Sequence, residues 1–105
     1  MAAKAKKKKT KLKIEIEYCS RCRWLMRAAW MAQELLATFE QDVDAVTLKP
    51  NAEGGVFEVR VGAKNVWSRK KENRFPEIRE LKQRVRDVVA PGRDLGHVDR
   101  SGGAS

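Results

Sequence analysis

Residues 12–18, LKIEIEY, alternate: Leu12, Ile14, Ile16 and Tyr18 share one face, and Lys13, Glu15 and Glu17 the other. A period of two predicts a strand with one face in a core. From Arg23 to about Glu40 the period lengthens. Leu25, Ala28, Ala29, Ala32, Leu35, Leu36 and Phe39 recur at three and four, which predicts a long helix with a wide apolar stripe. DVDAVTLK (42–49) reads as a second strand and KPNAEGG as a turn-rich break. VFEVRV (56–61) is a third strand, with Phe57, Val59 and Val61 on one face, and Gly62–Asn65 turns the chain into a short fourth strand, NVWS. RKKENRF is polar and reads as an exposed connection. A second helix runs from about Pro76 to Val89, with Ile78, Leu81, Val85, Val88 and Val89 on one face. Pro76 suits its first turn and Pro91-Gly92 ends it.

The order is β-α-β-β-β-α. The first helix is a crossover, so strands one and two should be parallel with a right-handed connection. The hairpin of strands three and four extends the sheet, and the second helix returns to cover it. The expectation is an α/β, thioredoxin-like arrangement: a mixed four-stranded sheet with two helices over residues 12–90, a basic disordered tail at 1–11 and a flexible C-terminal tail at 91–105.

Composition adds limits. A chain of 105 residues, 42% of them hydrophobic, is one domain with a modest core. No apolar run approaches the roughly 20 residues that span a bilayer, and none follows the basic N-terminus as a secretory signal requires. A cytoplasmic location is the default. The net charge of +9 suggests nucleic acid until it is located: seven lysines lie in the first thirteen residues with no acid among them, which leaves the body nearly balanced. The tail could bind phosphates of RNA, DNA or anionic lipid, with a salt dependence that vanishes on its removal; a solvated extension is the plainer reading.

The chain's two cysteines, Cys19 and Cys22, fall between the first strand and the first helix. A cysteine at a helix N-terminus meets unpaired N–H groups and the positive end of the dipole, and Arg21 and Arg23 flank Cys22. Lowering a thiol pKa from about 8.5 to about 7 raises the thiolate fraction at neutral pH from roughly 3% to roughly half. A second thiol at this spacing can then resolve a mixed disulfide. Three other readings compete. A structural disulfide across so short a loop adds little stability and is not kept in a reducing compartment. A zinc half-site lacks partners, His97 being the only histidine, so no metal is expected. The thiols could also be inert. Redox chemistry is the best account.

EYCSRCRW, then GGVFEV, then VWSRKK resemble the selenoprotein W-like family, also called the Rdx or SelT/SelW/SelH group, over roughly residues 12–90. The resemblance implies a thioredoxin-like fold and a thiol or selenol redox role. It implies no organic cofactor, with glutathione or protein thiols as co-substrates. Cys19 takes the family's first cysteine position, and Cys22 the one that selenocysteine fills in the namesake members. By thioredoxin logic the first residue, Cys19, attacks; by the place of selenium, and by the flanking arginines, Cys22 does. Both assignments stay open. Neither WCGPC nor CPYC is present, and where those families place a proline before the third strand this chain has Gly54-Gly55, which either let a substrate backbone approach or simply turn.

Met26 and Trp30, four apart, lie on the helix face away from Leu25, Ala29, Ala32 and Leu36. They form a candidate surface for a partner or for self-association, unless another element covers them. This supports an alternative function, a thioredoxin-like adaptor whose thiols regulate rather than catalyse. Trp24 is expected at the edge of the core and Trp67 within it. Ser68-Arg69-Lys70-Lys71, with Arg74, either presents positive charge to glutathione carboxylates or an acidic partner, or is a solvated loop.

Overall fold

The computed structural model describes residues 11–96. All but the last residue of the expected basic tail, and the end of the chain from His97, lie outside the described residues. The elements are β1 (Leu12–Cys19), α1 (Leu25–Phe39), β2 (Val43–Asn51), β3 (Phe57–Val61), β4 (Lys64–Ser68), α2 (Arg69–Glu72) and α3 (Ile78–Val89). The sheet order is β2-β1-β3-β4. As the crossover argument requires, β1 and β2 are parallel; β1–β3 and β3–β4 are antiparallel.

The alternation of β1 becomes a division between two faces of the sheet. Ile14, Ile16 and Tyr18 are buried with Phe57, Val59 and Val61 of β3 and Trp67 of β4, in one core with residues of α1 and α3. The other face is polar. Arg60 lies at its centre, within ion-pair distance of Glu15, Glu17 and Glu58. Asn51 Nδ2 donates to Glu17 at 2.6 Å, and Ser68 Oγ donates to Glu58 at 3.1 Å. The Arg60 hydrogen bond first, then that of Asn51, holds the Glu17 carboxyl below its ordinary range, and Glu17 in turn raises Arg60. The fold is thus a two-layer sandwich whose second sheet face is sealed by ion pairs rather than helices.

Two expectations need correction. The first concerns α1. Its buried residues are Ala28, Met31, Ala32, Leu35 and Phe39, whereas Leu25 and Leu36 of the expected stripe are exposed. The stripe is wide enough in sequence that either edge could face the sheet. Packing selects the edge carrying Met31, and α1 has apolar residues left over. The second concerns the polar connection after β4, which holds a third, four-residue helix, α2. It ends at Asn73, whose φ of 63° suits an asparagine. Beyond α3 the chain turns back: Leu95 packs against the core, and Arg93 donates to the Thr38 carbonyl at 3.1 Å and pairs with Asp42.

Candidate active site

Cys19 is the last residue of β1 and is fully buried. Its N–H donates to the Val56 carbonyl at 2.8 Å, just before β3, and Ser20 N–H donates to the Asn51 carbonyl at 2.9 Å, at the end of β2. The turn after Cys19 is therefore fastened on both sides. Cys22 is bonded to Cys19 as a disulfide, with Cα atoms 5.3 Å apart. Its backbone N–H donates to Cys19 Sγ at 3.1 Å, and Cys22 itself is partly exposed.

The helix does not begin at Arg23. It begins at Leu25, with Trp24 as the N-terminal flanking residue and no side-chain cap. Arg23 has φ 64°, a left-handed conformation that cannot be the first turn of a right-handed helix. Cys22 is therefore in a turn ahead of the helix rather than in its first turn. The N–H that faces a sulfur is that of Cys22 itself, and the sulfur is that of Cys19. This local contact to Cys19 Sγ is one that periodicity did not reveal.

The other candidate residues divide between the turn, the core and the surface. Arg21 reaches the Ala52 carbonyl at 3.4 Å, and the Arg23 side chain is exposed. Gly54 is open, and Gly55, at φ 84°, makes the turn into Val56, whose carbonyl accepts the Cys19 N–H. Met26 and Trp30 are exposed, at 82% and 48%. Trp24 packs at the core's edge, edge-on to Phe75 at 4.7 Å and to Phe57 at 6.4 Å, and Trp67 is buried with its indole N–H on the Arg74 carbonyl. The basic segment after β4 splits. Lys70 pairs with Glu53, and Arg74 with Glu80. Arg69 turns toward the site, 4.9 Å from the Trp24 ring centre and 5.3 Å from that of Phe75, with Nη1 on the Gly55 carbonyl at 3.5 Å.

Three residues here were not legible as site residues. Asn51 braces the turn through its carbonyl while its side chain ties Glu17. Phe75, in a polar segment, comes beside Trp24 through tertiary packing. Arg27, on the exposed side of α1, lies 4.0 Å from the Phe75 ring centre. The asparagine in KPNAEGG was the one local signal, and it suggested only a turn.

A mixed four-stranded sheet with a C-x-x-C disulfide directly after its first strand defines a thioredoxin-like protein with a two-thiol centre. The chain belongs to the Rdx family, whose model matches residues 13–87. It is similar to the selenoprotein W-related protein of Vibrio cholerae, known from a crystal structure, at 48% identity and a TM-score of 0.73, over 76% of this chain and 99% of that one. It is also similar to a protein of Bordetella parapertussis of known crystal structure, at 51% identity and a TM-score of 0.71, over 73% of this chain and 96% of the other. No curated protein matches it.

Proposed function

We propose that this chain is a cytoplasmic thiol-disulfide oxidoreductase in which Cys22 is the attacking sulfur and Cys19 the resolving one. The observation that carries the assignment is the contrast in exposure between the two cysteines: Cys19 is fully buried, whereas Cys22 is partly exposed. An incoming disulfide or thiol meets Cys22 first.

In the reducing direction, the Cys22 thiolate attacks one sulfur of a substrate disulfide. A mixed disulfide forms and the first substrate thiolate leaves. The Cys19 thiolate then attacks Cys22 Sγ, closing the Cys19–Cys22 bond and releasing the second substrate thiolate. Two electrons pass from the dithiol to the substrate, and the two thiol protons end on the released sulfurs. Two equivalents of glutathione, or one protein dithiol, return the disulfide to the dithiol by the same exchange in reverse. Negative charge on Cys19 Sγ, as leaving group or resolving nucleophile, is favoured by the Cys22 N–H; Arg21 and Arg23 add a positive field at Cys22. Gly54, with no side chain, leaves room for a substrate backbone beside the pair.

The test is the pH dependence of alkylation of the reduced protein, with each label assigned by mass spectrometry. Cys22 should react faster and titrate below the ordinary thiol value of about 8.5. Two slow thiols titrating at or above that value would remove the physical basis of the proposal.

A further inference from the structure

Of the five large hydrophobic residues exposed among the described residues, four lie on α1: Leu25, Met26, Trp30 and Leu36. Single exposed apolar residues need no explanation, but four on one helix, two of them adjacent on its outer face, do. Met26 and Trp30 are one turn apart and begin four residues after the partly exposed Cys22. A shallow depression lined by Lys64, Val66, Arg84 and Val88 is instead at the other end of the sheet.

Charge around the cysteine turn is equally uneven. Arg60, Arg74, Arg84, Arg86 and Arg93 each have a carboxylate within ion-pair distance. Among the described residues Arg21, Arg23, Arg27 and Arg69 have none, and only Arg79 shares that condition away from the cysteine turn. Arg27 and Arg69 both lie over the Phe75 ring, at 4.0 and 5.3 Å, and Arg69 Nε is buried without a hydrogen-bond partner. Two guanidinium groups share one ring with no carboxylate to compensate them. α1 has no acid in its first turn.

We infer that the α1 face and the arginines around the cysteine turn dock a segment of a partner protein. That segment carries its disulfide or thiol between apolar side chains and carboxylates. The apolar residues would cover Met26 and Trp30, and the carboxylates would meet Arg27 and Arg69. A second copy of this chain fits poorly. A two-fold contact sets the same patch against itself and brings the uncompensated arginines together. Docking of this kind rests on the proposed thiol-disulfide exchange for the chemistry after binding, but the two can fail separately.

The experiment is an NMR titration of the full chain with two synthetic peptides matched in length and apolar content, each with serine at the central cysteine position. One is rich in glutamate and the other in lysine. The glutamate peptide should shift the Met26 methyl and Trp30 indole resonances and bind about tenfold more tightly at low salt, an advantage that salt erodes. Met26→Ser with Trp30→Ser should weaken both peptides. Arg27→Gln with Arg69→Gln should remove the difference between them while leaving a folded spectrum. Equal binding of the two peptides, or shifts that avoid α1, overturns the inference. So do shifts of the same resonances on raising protein concentration without peptide, which would place a second copy there. Reduction of bis(2-hydroxyethyl) disulfide, small and uncharged, by the otherwise unaltered protein in its dithiol form tests the redox reading alone. Its absence beside selective peptide binding would remove the redox reading and leave the docking surface standing.

Discussion

The backbone N–H of Cys22 donates to the sulfur of Cys19 at 3.1 Å. In the reduced pair the contact would favour negative charge on the buried sulfur, and the proposed chemistry gives the partly exposed Cys22 the first attack. It predicts different fates for the two single variants. Cys19→Ser should retain attack but not resolution, and so accumulate a mixed disulfide at Cys22 when treated with oxidised glutathione. Cys22→Ser should form its adduct on the order of tenfold more slowly or not at all. Intact-mass spectrometry over time reads both; the opposite pattern would make Cys19 the nucleophile.

Arg23 connects the disulfide turn to α1 at φ 64°. A left-handed conformation costs a non-glycine residue about 1–2 kcal/mol, and a β-branched one more. Arg23→Gly should therefore hold stability within about 1 kcal/mol, relief of strain offsetting the greater freedom of the unfolded chain. Arg23→Val should lose about 1–3 kcal/mol. Denaturant unfolding of the oxidised proteins distinguishes this from a side-chain effect, which would make the two variants alike.

On the open sheet face, Glu17 accepts from Arg60 and Asn51, and its carboxyl is held below its ordinary value of 4.5. A depressed folded-state pKa contributes stability that is present above the unfolded value and disappears as pH falls through the folded one. Glu17→Gln should thus cost about 1–3 kcal/mol at neutral pH. The gap should narrow as pH falls below about 4.5, where the unfolded chain's carboxyl takes up its proton, and close as pH passes the lower folded-state value. A gap that persisted unchanged to low pH would mean that packing, not charge, is lost. Asn51 links the same network to Ser20, so the variant should also alter the alkylation rate of Cys22.

Leu35 and Leu36 are neighbours with opposite environments, fully buried and 40% exposed. Leu35→Ala should cost about 2–5 kcal/mol through lost burial and the cavity left behind. Leu36→Ala should stay within about 0.5 kcal/mol, as surface changes do. Thermal unfolding of the two variants tests which edge of α1 faces the sheet.

Local patterns determined much of this protein. The alternation in LKIEIEY and VFEVRV identified the strands and their inner faces, because period two leaves a half-buried strand only one solution. The change to a period near four marked α1 and α3, and the crossover rule settled the parallel pairing of β1 with β2. The C-x-x-C pair was visible as chemistry, since both sulfurs lie within one turn of chain. What the tertiary structure decided depends on partners far apart in sequence. Arg23 takes a left-handed conformation and α1 starts two residues late in a turn fastened to Asn51 and Val56. Leu25 and Leu36 stay outside because the core takes Met31 and Leu35 instead, a choice that a broad apolar stripe leaves open. Arg27, Arg69 and Phe75 come together beside Trp24 only because α1, α2 and the segment before α3 end at the same edge of the sheet. Periodicity reports which residues seek burial; it cannot report which of them find room.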